Sequence, residues 1–591
     1  MLLCWCLVQV LLFFTYPLSD RPTPVISWDR FGYYIYLPAF FIYHDPWQLK
    51  FAEPMMHQYS LCEYFYAAFR GPTGNYVMNY SLGTAILYFP FFVLGHLVAF
   101  ISNYPRDGFS APYQYAIAVC GSCYSLLGVV VTMRNLRFFF SEKLTALLIV
   151  ILILGTNYFF YATIENAMTH GYLFTIGALV IYFTIKWHAQ QRAKYAVLLG
   201  VFTGLAIVIR PTEVLWCLVP LMWGVYNLNS LKQKWQLVVQ NIPQLLLLVL
   251  SAFLVGCIQM AYWKAASGKF IYYSYDGHFD FLSPNIWLGL FSIEKGWLVY
   301  TPLIVLALTG LPLLWLKHKQ AALVCLIYIV SVVYLTFSWE AWQYGGGFGS
   351  RPMVPTYALL LLPMGVTLSA LRGYLSLQII LVPLIGFFIF LNLFQTWQYL
   401  HEFFSHEGPD AYKYKVVFLR TQKNKQIIRE YFGLEQLTKP ATDSTIIYPA
   451  GSALPDSLRF PRSPYDVTDA EGKIVFDSAF HTGRHSYIRI DANAMFEPFI
   501  GNSDKLSYLS VSVQSANLSE STQEYRMPLQ PLIGNNSINW ERDLYGVPGV
   551  WDNVFMYVPV LPESQVKLRM VVKNPSGNHL FFKDLRLWLL K

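Results

Sequence analysis

The stretch Ser27-Trp28-Asp29-Arg30-Phe31-Gly32-Tyr33-Tyr34 follows a short apolar run at residues 1–16 and opens the first polar loop of the chain. Between residues 112 and 398, one long apolar segment follows another, and polar residues are confined to the connections. Of the 591 residues, 55% are hydrophobic and 13% are charged, which excludes an ordinary soluble domain and indicates a polytopic membrane protein. An acidic residue at the edge of such a bundle is a functional-site hypothesis by default, so Asp29 is the first candidate.

Basic residues in short connectors set the predicted topology. The positive-inside rule places these connectors in the cytoplasm: residues 134–137, 186–194, 232–234 and 317–319, and Arg372. The formal net charge of +8 lies largely here, so it orients the chain and does not indicate a nucleic-acid partner. The apolar segments between the connectors predict spans near residues 112–133, 144–164, 168–187, 195–210, 212–228, 243–263, 297–316, 321–338, 352–371 and 376–398. With a retained first helix at 1–16, the total is about eleven.

In this topology, the apolar segment at residues 81–101 does not cross the membrane a single time. We expect it to be re-entrant, with a break at Pro90, or to lie in the membrane interface, and a full crossing stays open. The loops left on the outer side contain nearly all the chemically interesting residues.

The composition changes after residue 398. Short alternating apolar runs separated by Gly, Pro, Asn and Asp predict a jelly-roll-like all-β sandwich at residues 445–591. Residues 399–444, rich in Lys, Glu and Gln, are interpreted as a helical connector. All eight cysteines lie between Cys4 and Cys325, so disulfides are not expected to stabilise the sandwich. Whether the sandwich binds an acceptor or only stabilises or docks the protein is left open.

The first outer loop holds the strongest candidate residue. Asp29 precedes an aromatic segment whose side chains, Tyr33 and Tyr34 among them, suit the headgroup level of a bilayer. The segment could hold Asp29 above the membrane and line a path for a lipid-linked substrate. The alternative is that Asp29 only caps an interfacial helix, because Asp is a preferred N-cap residue.

Two further outer junctions carry charge. Glu165 and His170 lie at the outer junction of two predicted spans, where they could orient an acceptor or bind a divalent cation, although one Glu and one His do not make a metal site. Asn166 and His170 would share a helix face. Arg210 ends a span on the outer side, where it works against the inside-positive bias, and its planar fork suits phosphate oxygens. An ion pair with Glu213 is the alternative.

The last two outer loops add cations and aromatics. Lys295 lies at a predicted helix entrance, a natural anion site, although Glu294 could simply neutralise it. Residues 338–351 contain Glu340, Trp342, four glycines and Arg351 ahead of a span. Glycines let a backbone approach a ligand closely, aromatics suit sugar rings and prenyl chains, and cations suit a phosphate.

Together these residues resemble the C-superfamily of glycosyltransferases, membrane enzymes that use polyprenyl-phosphate-linked sugars and include protein O-mannosyltransferases and the lipid A aminoarabinose transferase. The points of likeness are Asp29 in the first outer loop, Glu165 two spans later, the topology of residues 1–400 and a soluble C-terminal domain. The sequences of residues 28–39, 210–212 and 342–351 are similar to segments of predicted transferases from Bacteroidetes-like bacteria. The resemblance implies an inner-membrane location in a bacterium, with the sandwich in the periplasm.

The resemblance also implies a reaction. Asp29 would be the general base and Glu165 a second catalytic carboxylate, while Arg30, Tyr33, Tyr34, His170, Arg210, Lys295, Glu340, Trp342 and Arg351 would bind substrate. The donor would be a polyprenyl-phosphate sugar, the acceptor a protein, lipid or glycan, and the transfer inverting. The paired acidic signature of the family is Asp29-Arg30 here, which favours a metal-independent mechanism and leaves a divalent cation as an option. A lipid-linked sugar transporter or flippase is the alternative function, although no internal repeat supports it.

Overall fold

The computed structural model describes residues 24–401 except 63 and 276, then 403, 409 and 411–422. In the C-terminal part it describes residues 444–448, 458–460, 473–485, 487–496, 508–515, 522–528, 552–560, 564–573 and 580–590. The helix predicted at residues 1–16 and most of the connector predicted at 399–444 lie outside these residues. The chain divides into two compact units close to residue 396.

The first unit is a helical bundle preceded by small elements. The small elements are α1 (Asp29–Tyr34), α2 (Tyr36–Phe41), α3 (Ala52–Gln58), β1 (Ala68–Arg70) and β2 (Tyr76–Met78). The bundle contains α4 (Gly83–Ile101), α5 (Ala111–Leu136), α6 (Glu142–Gly155), α7 (Tyr158–Thr163), α8 (Thr169–Gln190), α9 (Ala193–Ile209), α10 (Leu218–Met222), α11 (Leu228–Gln240), α12 (Ile242–Ser267), α13 (Ile286–Phe291), α14 (Trp297–Tyr300), α15 (Val305–Lys317), α16 (Lys319–Phe337), α17 (Tyr357–Leu371) and α18 (Leu375–Leu400). The 3-10 helices Pro211–Cys217, Pro302–Ile304 and Arg351–Thr356 run directly into α10, α15 and α17.

Seven helices of the described residues are long and apolar enough to cross a membrane: α4, α5, α8, α12, α16, α17 with its 3-10 start, and α18. Three shorter apolar segments accompany them, at residues 193–209, 211–222 and 302–317. These helices confirm the predicted class of a polytopic helical membrane domain.

Two predicted spans are interrupted where the structure forms a site. The span predicted at residues 144–164 was wrong as a single helix, because Thr156 has extended backbone and separates α6 from α7. The carbonyls freed there are satisfied by Asn392, whose Nδ2 donates to Leu154 and Thr156 at 2.9 and 3.0 Å. The span predicted at residues 297–316 is likewise broken at Thr301, which precedes a proline and leaves the helical region.

The span predicted at residues 212–228 ends early. Helix α10 stops at Met222, and Gly224 follows with a φ of 87°, a backbone conformation that turns the chain away from the helix axis. The polypeptide then enters α11, a separate helix.

Helix α4 settles part of the question about residues 81–101. It runs without interruption through Pro90, so the predicted break is not formed. The segments on both sides of α4 reach α1: the Tyr80 hydroxyl donates to Asp29 Oδ1 at 2.7 Å, and the Tyr34 hydroxyl donates to the Gly108 carbonyl at 2.5 Å. Such contacts are expected if both ends of α4 lie on the outer side, and the interfacial orientation stays a prediction.

The second unit is a two-sheet sandwich preceded by α19 (Ala411–Val417). Its strands are β3 (Ser444–Tyr448), β4 (Leu458–Phe460), β5 (Lys473–His481), β6 (Tyr487–Phe496), β7 (Tyr508–Ser515), β8 (Gln523–Pro528), β9 (Asp552–Pro559), β10 (Gln565–Lys573) and β11 (Leu580–Leu590). The sheets have the orders β5-β10-β7-β8 and β3-β11-β6-β9, with β4 also paired to β11. Alternate residues of the strands enter one shared apolar core, as Val566, Leu568, Met570 and Val572 do in β10. The predicted jelly-roll-like sandwich is confirmed.

Close backbone packing positions the turn that carries Glu165. A Cβ atom added to Gly121 of α5 would lie 2.1 Å from the carbonyl oxygen of Asn166, far inside contact distance. The Asn166 side chain fixes the same crossing, because its Nδ2 donates to the Ala118 carbonyl at 2.8 Å.

We therefore expect Gly121→Ala to lower the free energy of unfolding by about 1–3 kcal/mol, because backbone atoms must move to admit the methyl group. Gly256→Ala is the matched control: Gly256 also lies within a long helix, α12, but nothing lies within 4 Å of its added Cβ. That control should be neutral or more stable by up to about 1 kcal/mol. Thermal unfolding in detergent measures both, and equal melting temperatures would refute the packing argument.

Candidate active site

Asp29 begins α1 and does not cap it. The N-cap residue is Trp28, with φ 49° and ψ −132°, and no side chain accepts a cap hydrogen bond there. The Asp29 carboxylate instead binds side chains from distant segments: Oδ1 accepts from Tyr80 at 2.7 Å and from Tyr66 at 3.4 Å, and Oδ2 accepts from Arg351 Nη2 at 3.0 Å. The capping interpretation is therefore wrong, and Asp29 is held by groups that recognise its charge.

The electrostatics of the site keep Asp29 ionised. Burial by itself would raise the pKa of this carboxyl, but Arg351, the Tyr80 hydroxyl and Arg210 outweigh it, and the pKa of Asp29 lies below its ordinary value. Burial, and then the negative charge of Asp29, raises the pKa values of Tyr80 and Tyr66. Both phenols therefore remain protonated donors beside a carboxylate. About a quarter of the Asp29 side chain, 23%, is still exposed.

Arg351 reaches Asp29 from the glycine-rich loop at residues 345–351. Gly347 and Gly349 have φ values of 148° and 61°, and an added Cβ would lie 2.7 Å from the Tyr161 hydroxyl and 2.9 Å from Tyr300, respectively. The predicted close approach of these glycines is thus made to protein side chains. The Tyr161 hydroxyl also donates to the Phe348 carbonyl at 3.2 Å, which ties the loop to α7.

Lys295 supports the same loop. Its side chain is buried, with 3% of the residue exposed, and its Nζ donates to the Gly347 carbonyl. The structure thus places Lys295 behind Arg351 and gives the loop a second anchor.

Arg210 lies close enough to Asp29 to lower the pKa of that carboxyl. Burial disfavours the charged form of Arg210, and the phenols of Tyr33 and Tyr275 favour it. No ion pair between Arg210 and Glu213 is found within 4.0 Å among the described residues, although both side chains are described. Two of the predicted substrate-binding residues, Arg351 and Arg210, therefore lie near Asp29, and a third, Tyr33, contacts the ring of Tyr80.

Arg30 and Glu165 form a second ion pair next to the first. Arg30 Nη1 lies 2.6 Å from Glu165 Oε2, and the two side chains are 7% and 27% exposed. Arg30 also donates from Nη2 to Ser27 Oγ at 2.7 Å. Because Arg30 follows Asp29 directly, this pair links the first loop to the turn before α8. Arg30 thus joins the two segments that carry the predicted carboxylates.

His170 lies in the first turn of α8, fully buried against the ring of Tyr161 at a centroid distance of 5.2 Å. Neither ring nitrogen has a hydrogen-bond partner in the part of the chain that the structure describes. The helix face predicted for Asn166 and His170 is wrong, because α8 begins at Thr169 and Asn166 turns toward α5.

The remaining predicted residues lie apart. Glu340 pairs with His278 at 2.7 Å on an exposed part of the loops. Trp342 is buried, with 8% of the residue exposed. Among the described side chains, no hydrogen bond joins Trp342 to Asp29. Tyr34 uses its hydroxyl to hold Gly108, so its contact with the site is through α1 itself.

Among the described residues, no group of three or more His, Cys, Asp or Glu side chains comes together that could hold a metal ion. Each of the two candidate carboxylates instead faces an arginine. The divalent-cation option is left without a ligand set among these residues.

Sequence reasoning missed two tyrosines. Tyr66 and Tyr80 donate directly to Asp29, and Tyr275 packs edge-on against Tyr80 at a centroid distance of 5.9 Å. The chain contains 42 tyrosines, and nothing in the sequence around Tyr66 and Tyr80 distinguishes them from the others. Only the fold, which returns residues 66 and 80 to α1, could have identified them.

Comparison with known proteins gives likenesses to solved structures alone. No family model matches the chain, and no curated protein matches its sequence. The apo oligosaccharyltransferase of Archaeoglobus fulgidus is similar with 12% identity and a TM-score of 0.40, over 74% of this chain and 60% of that one. ArnT from Cupriavidus metallidurans bound to undecaprenyl phosphate is similar with 17% identity and a TM-score of 0.36, over 62% and 60%.

The arabinosyltransferase EmbB from Mycobacterium smegmatis is similar with 10% identity and a TM-score of 0.33, over 79% of this chain and 57% of that one. The chain thus covers between 57% and 60% of the length of these three structures. At such identities and TM-scores, the activity has to be argued from the residues themselves.

We expect Arg351→Met to raise the pKa of Asp29, because the variant removes the nearest positive charge and one hydrogen bond. The folded-state pKa of Asp29 is depressed, so its carboxylate stays ionised as pH falls until that value is reached. In the variant, protonation begins at a higher pH. Infrared difference spectra of the carboxyl band that disappears in Asp29→Asn follow this titration.

Arg137→Met is the control, because Arg137 pairs with Glu142 at 3.0 Å on an exposed surface. It should leave the Asp29 band unchanged. An Asp29 titration identical in Arg351→Met and wild type would show that the ion pair does not govern this carboxyl.

Proposed function

We propose that this chain is a membrane glycosyltransferase that moves a sugar from a polyprenyl-phosphate donor to an acceptor on the outer face of the membrane, with Asp29 as general base. One observation carries the proposal: an ionised, partly exposed carboxylate is held at the edge of a membrane bundle by two phenols and an arginine. A second arginine, Arg210, lies close by. The arrangement provides a proton acceptor next to cations that suit a phosphate.

The chemistry follows from these groups. An acceptor hydroxyl or amine is a weak nucleophile while it keeps its proton. As its oxygen or nitrogen attacks the anomeric carbon, the proton passes to Asp29. The bond between the anomeric carbon and the phosphate oxygen breaks, and its electron pair leaves with the polyprenyl phosphate. A single displacement of this kind inverts the configuration of the sugar.

The leaving phosphate gains negative charge, which Arg351 and Arg210 are placed to stabilise. Arg351 Nη2 binds Asp29 at 3.0 Å, and the Nε of Arg351 is buried without a partner in the described part of the chain. A guanidinium can bind two anions through different edges, so Arg351 can hold the donor phosphate beside the base. Lys295 contributes by fixing the loop that carries Arg351.

Other residues line the proposed substrate path. The ring of Tyr80, which donates to Asp29, is tilted against the ring of Tyr33 at a centroid distance of 4.5 Å, and aromatic rings suit a sugar face. Glu165, held by Arg30, is partly exposed and can orient the acceptor. Undecaprenyl phosphate, the lipid bound in the ArnT structure, is an example of the proposed carrier class.

We place the protein in the inner membrane of a bacterium, with the active site and the sandwich in the periplasm. The basic connectors support this orientation, because they collect at the opposite ends of the helices from Asp29.

We expect Asp29→Asn to reduce sugar transfer by about 10²–10⁴-fold, because asparagine cannot take the proton of the acceptor. The measurement is transfer from polyprenyl-phosphate sugars to envelope extract by purified protein in lipid, with donor binding followed in parallel. Asp280→Asn is the matched control, since the Asp280 carboxylate accepts hydrogen bonds from Leu282 and Ser283 of its own exposed turn. Unchanged transfer in Asp29→Asn would exclude this base, and donor binding without transfer in wild type would favour the transporter.

We expect Arg210→Met to act on the phosphate step. Loss of one cation next to the leaving group should lower kcat about 10²-fold and raise the KM for the phosphate donor. Lys232→Met is the control, because Lys232 carries the same kind of charge on an exposed helix, α11, away from Asp29. Normal kinetics in Arg210→Met would remove Arg210 from the proposed mechanism.

A further inference from the structure

Helix α11 is amphipathic, but its apolar face points outward, whereas the apolar face of a surface helix in water points into the protein. Its apolar side chains Leu228, Leu231, Trp235 and Val239 follow each other at intervals of three or four residues and form one face. That face points away from the protein, with exposed fractions of 76%, 49%, 69% and 47%. A helix in water would turn this face inward.

The inner face of α11 is polar and firmly held. Ser230 closes a capping box with Asn227, whose Oδ1 accepts from the Ser230 amide at 2.8 Å. One turn later, Lys234 is buried, and its Nζ donates to the Pro220 carbonyl at 2.7 Å and contacts His188 Nε2 at 2.5 Å. Lys234 points into the protein, where its partners satisfy it, while Trp235 and Leu231 point out, and such an exposed apolar face indicates an interaction surface.

The exposed apolar face continues into the next helix. After Asn241, helix α12 begins at Ile242, and it is long and apolar enough to cross a membrane. Of the 18 consecutive residues that form its most apolar part, only 11% are buried inside the protein. Its exposed side chains include Leu246, Leu250, Phe253 and Leu254. The outward face of α11 therefore lies at the end of a lipid-facing surface.

We propose that α11 lies in the membrane interface and inserts Leu228, Leu231, Trp235 and Val239 into the boundary between headgroups and acyl chains. Its partner is a lipid surface. Lys232, exposed on the same helix, lies where a phosphate headgroup can reach it. Lys234 fixes the rotation of the helix about its axis, because its three partners lie on the protein side. The proposal concerns a surface distant in sequence from Asp29 and does not depend on the transferase reaction.

The experiment uses the full chain in bilayers whose lipids carry bromine at defined depths. The emission of Trp235 is the difference between the spectra of wild type and Trp235→Phe, a substitution that keeps an aromatic ring. We expect this component to be quenched by brominated lipids, more strongly when bromine lies near the headgroup than near the bilayer centre. Aqueous iodide should leave most of it unquenched.

Trp223→Phe supplies the control component. Trp223 lies just before α11 and is also aromatic, but it is 6% exposed and packs against Phe139. Its emission should be insensitive to both quenchers.

Three results would overturn the proposal. Quenching of Trp235 by iodide and not by brominated lipid would place the face in water. Insensitivity to both would mean that protein covers it. Strongest quenching by bromine at the bilayer centre would place the helix too deep. Sugar transfer is not read in this experiment, so its outcome is independent of the proposed function.

Discussion

The ion pair between Asp29 and Arg351 is the interaction around which this end of the bundle is arranged. A buried carboxylate or guanidinium alone would be costly, and the pair is tolerated only because further hydrogen bonds complete it. Tyr80 and Tyr66 donate to the carboxylate from the segments that flank the small hairpin β1–β2. The glycine loop before α17 must approach closely enough to present Arg351. The breaks near Thr156 and Thr301 lie in the helices that this loop contacts.

The sequence predicted well what depends on composition. Long apolar segments and basic connectors indicated a membrane bundle, and alternation in the last 150 or so residues indicated a sandwich, because both patterns report burial directly. It also predicted that Asp29, Arg210 and Arg351 converge, since a charge at the end of a span is costly and indicates a functional site, and the structure brings the three together. The interruption within residues 144–164 was missed because a single glycine, Gly155, does not by itself end an apolar helix, and the group that stabilises the break is a distant asparagine, Asn392.

The sequence could not predict which side chains of the site pair with each other. Arg30 was expected to bind substrate and is held by Glu165, 135 residues away. Tyr80 was not considered, although it makes the shorter of the two phenol contacts with Asp29. A residue type predicts which interactions a side chain can make, but the partner depends on the tertiary contacts of segments far apart in the chain. In the proposed reaction, the pairing of Asp29 with Arg351 has a chemical consequence. A donor phosphate that attracts Arg351 would leave Asp29 a stronger base.

The separation of 322 residues between Asp29 and Arg351 also has a consequence for biosynthesis. At about 5–20 residues per second, a ribosome needs roughly 16–64 s to make the second partner after the first. During that time the first loop has left the ribosome, and Asp29 lacks its ion-pair partner. The ion pair can therefore form only late in membrane insertion, and a chain truncated before Arg351 would retain its early helices while Asp29 stays without this partner.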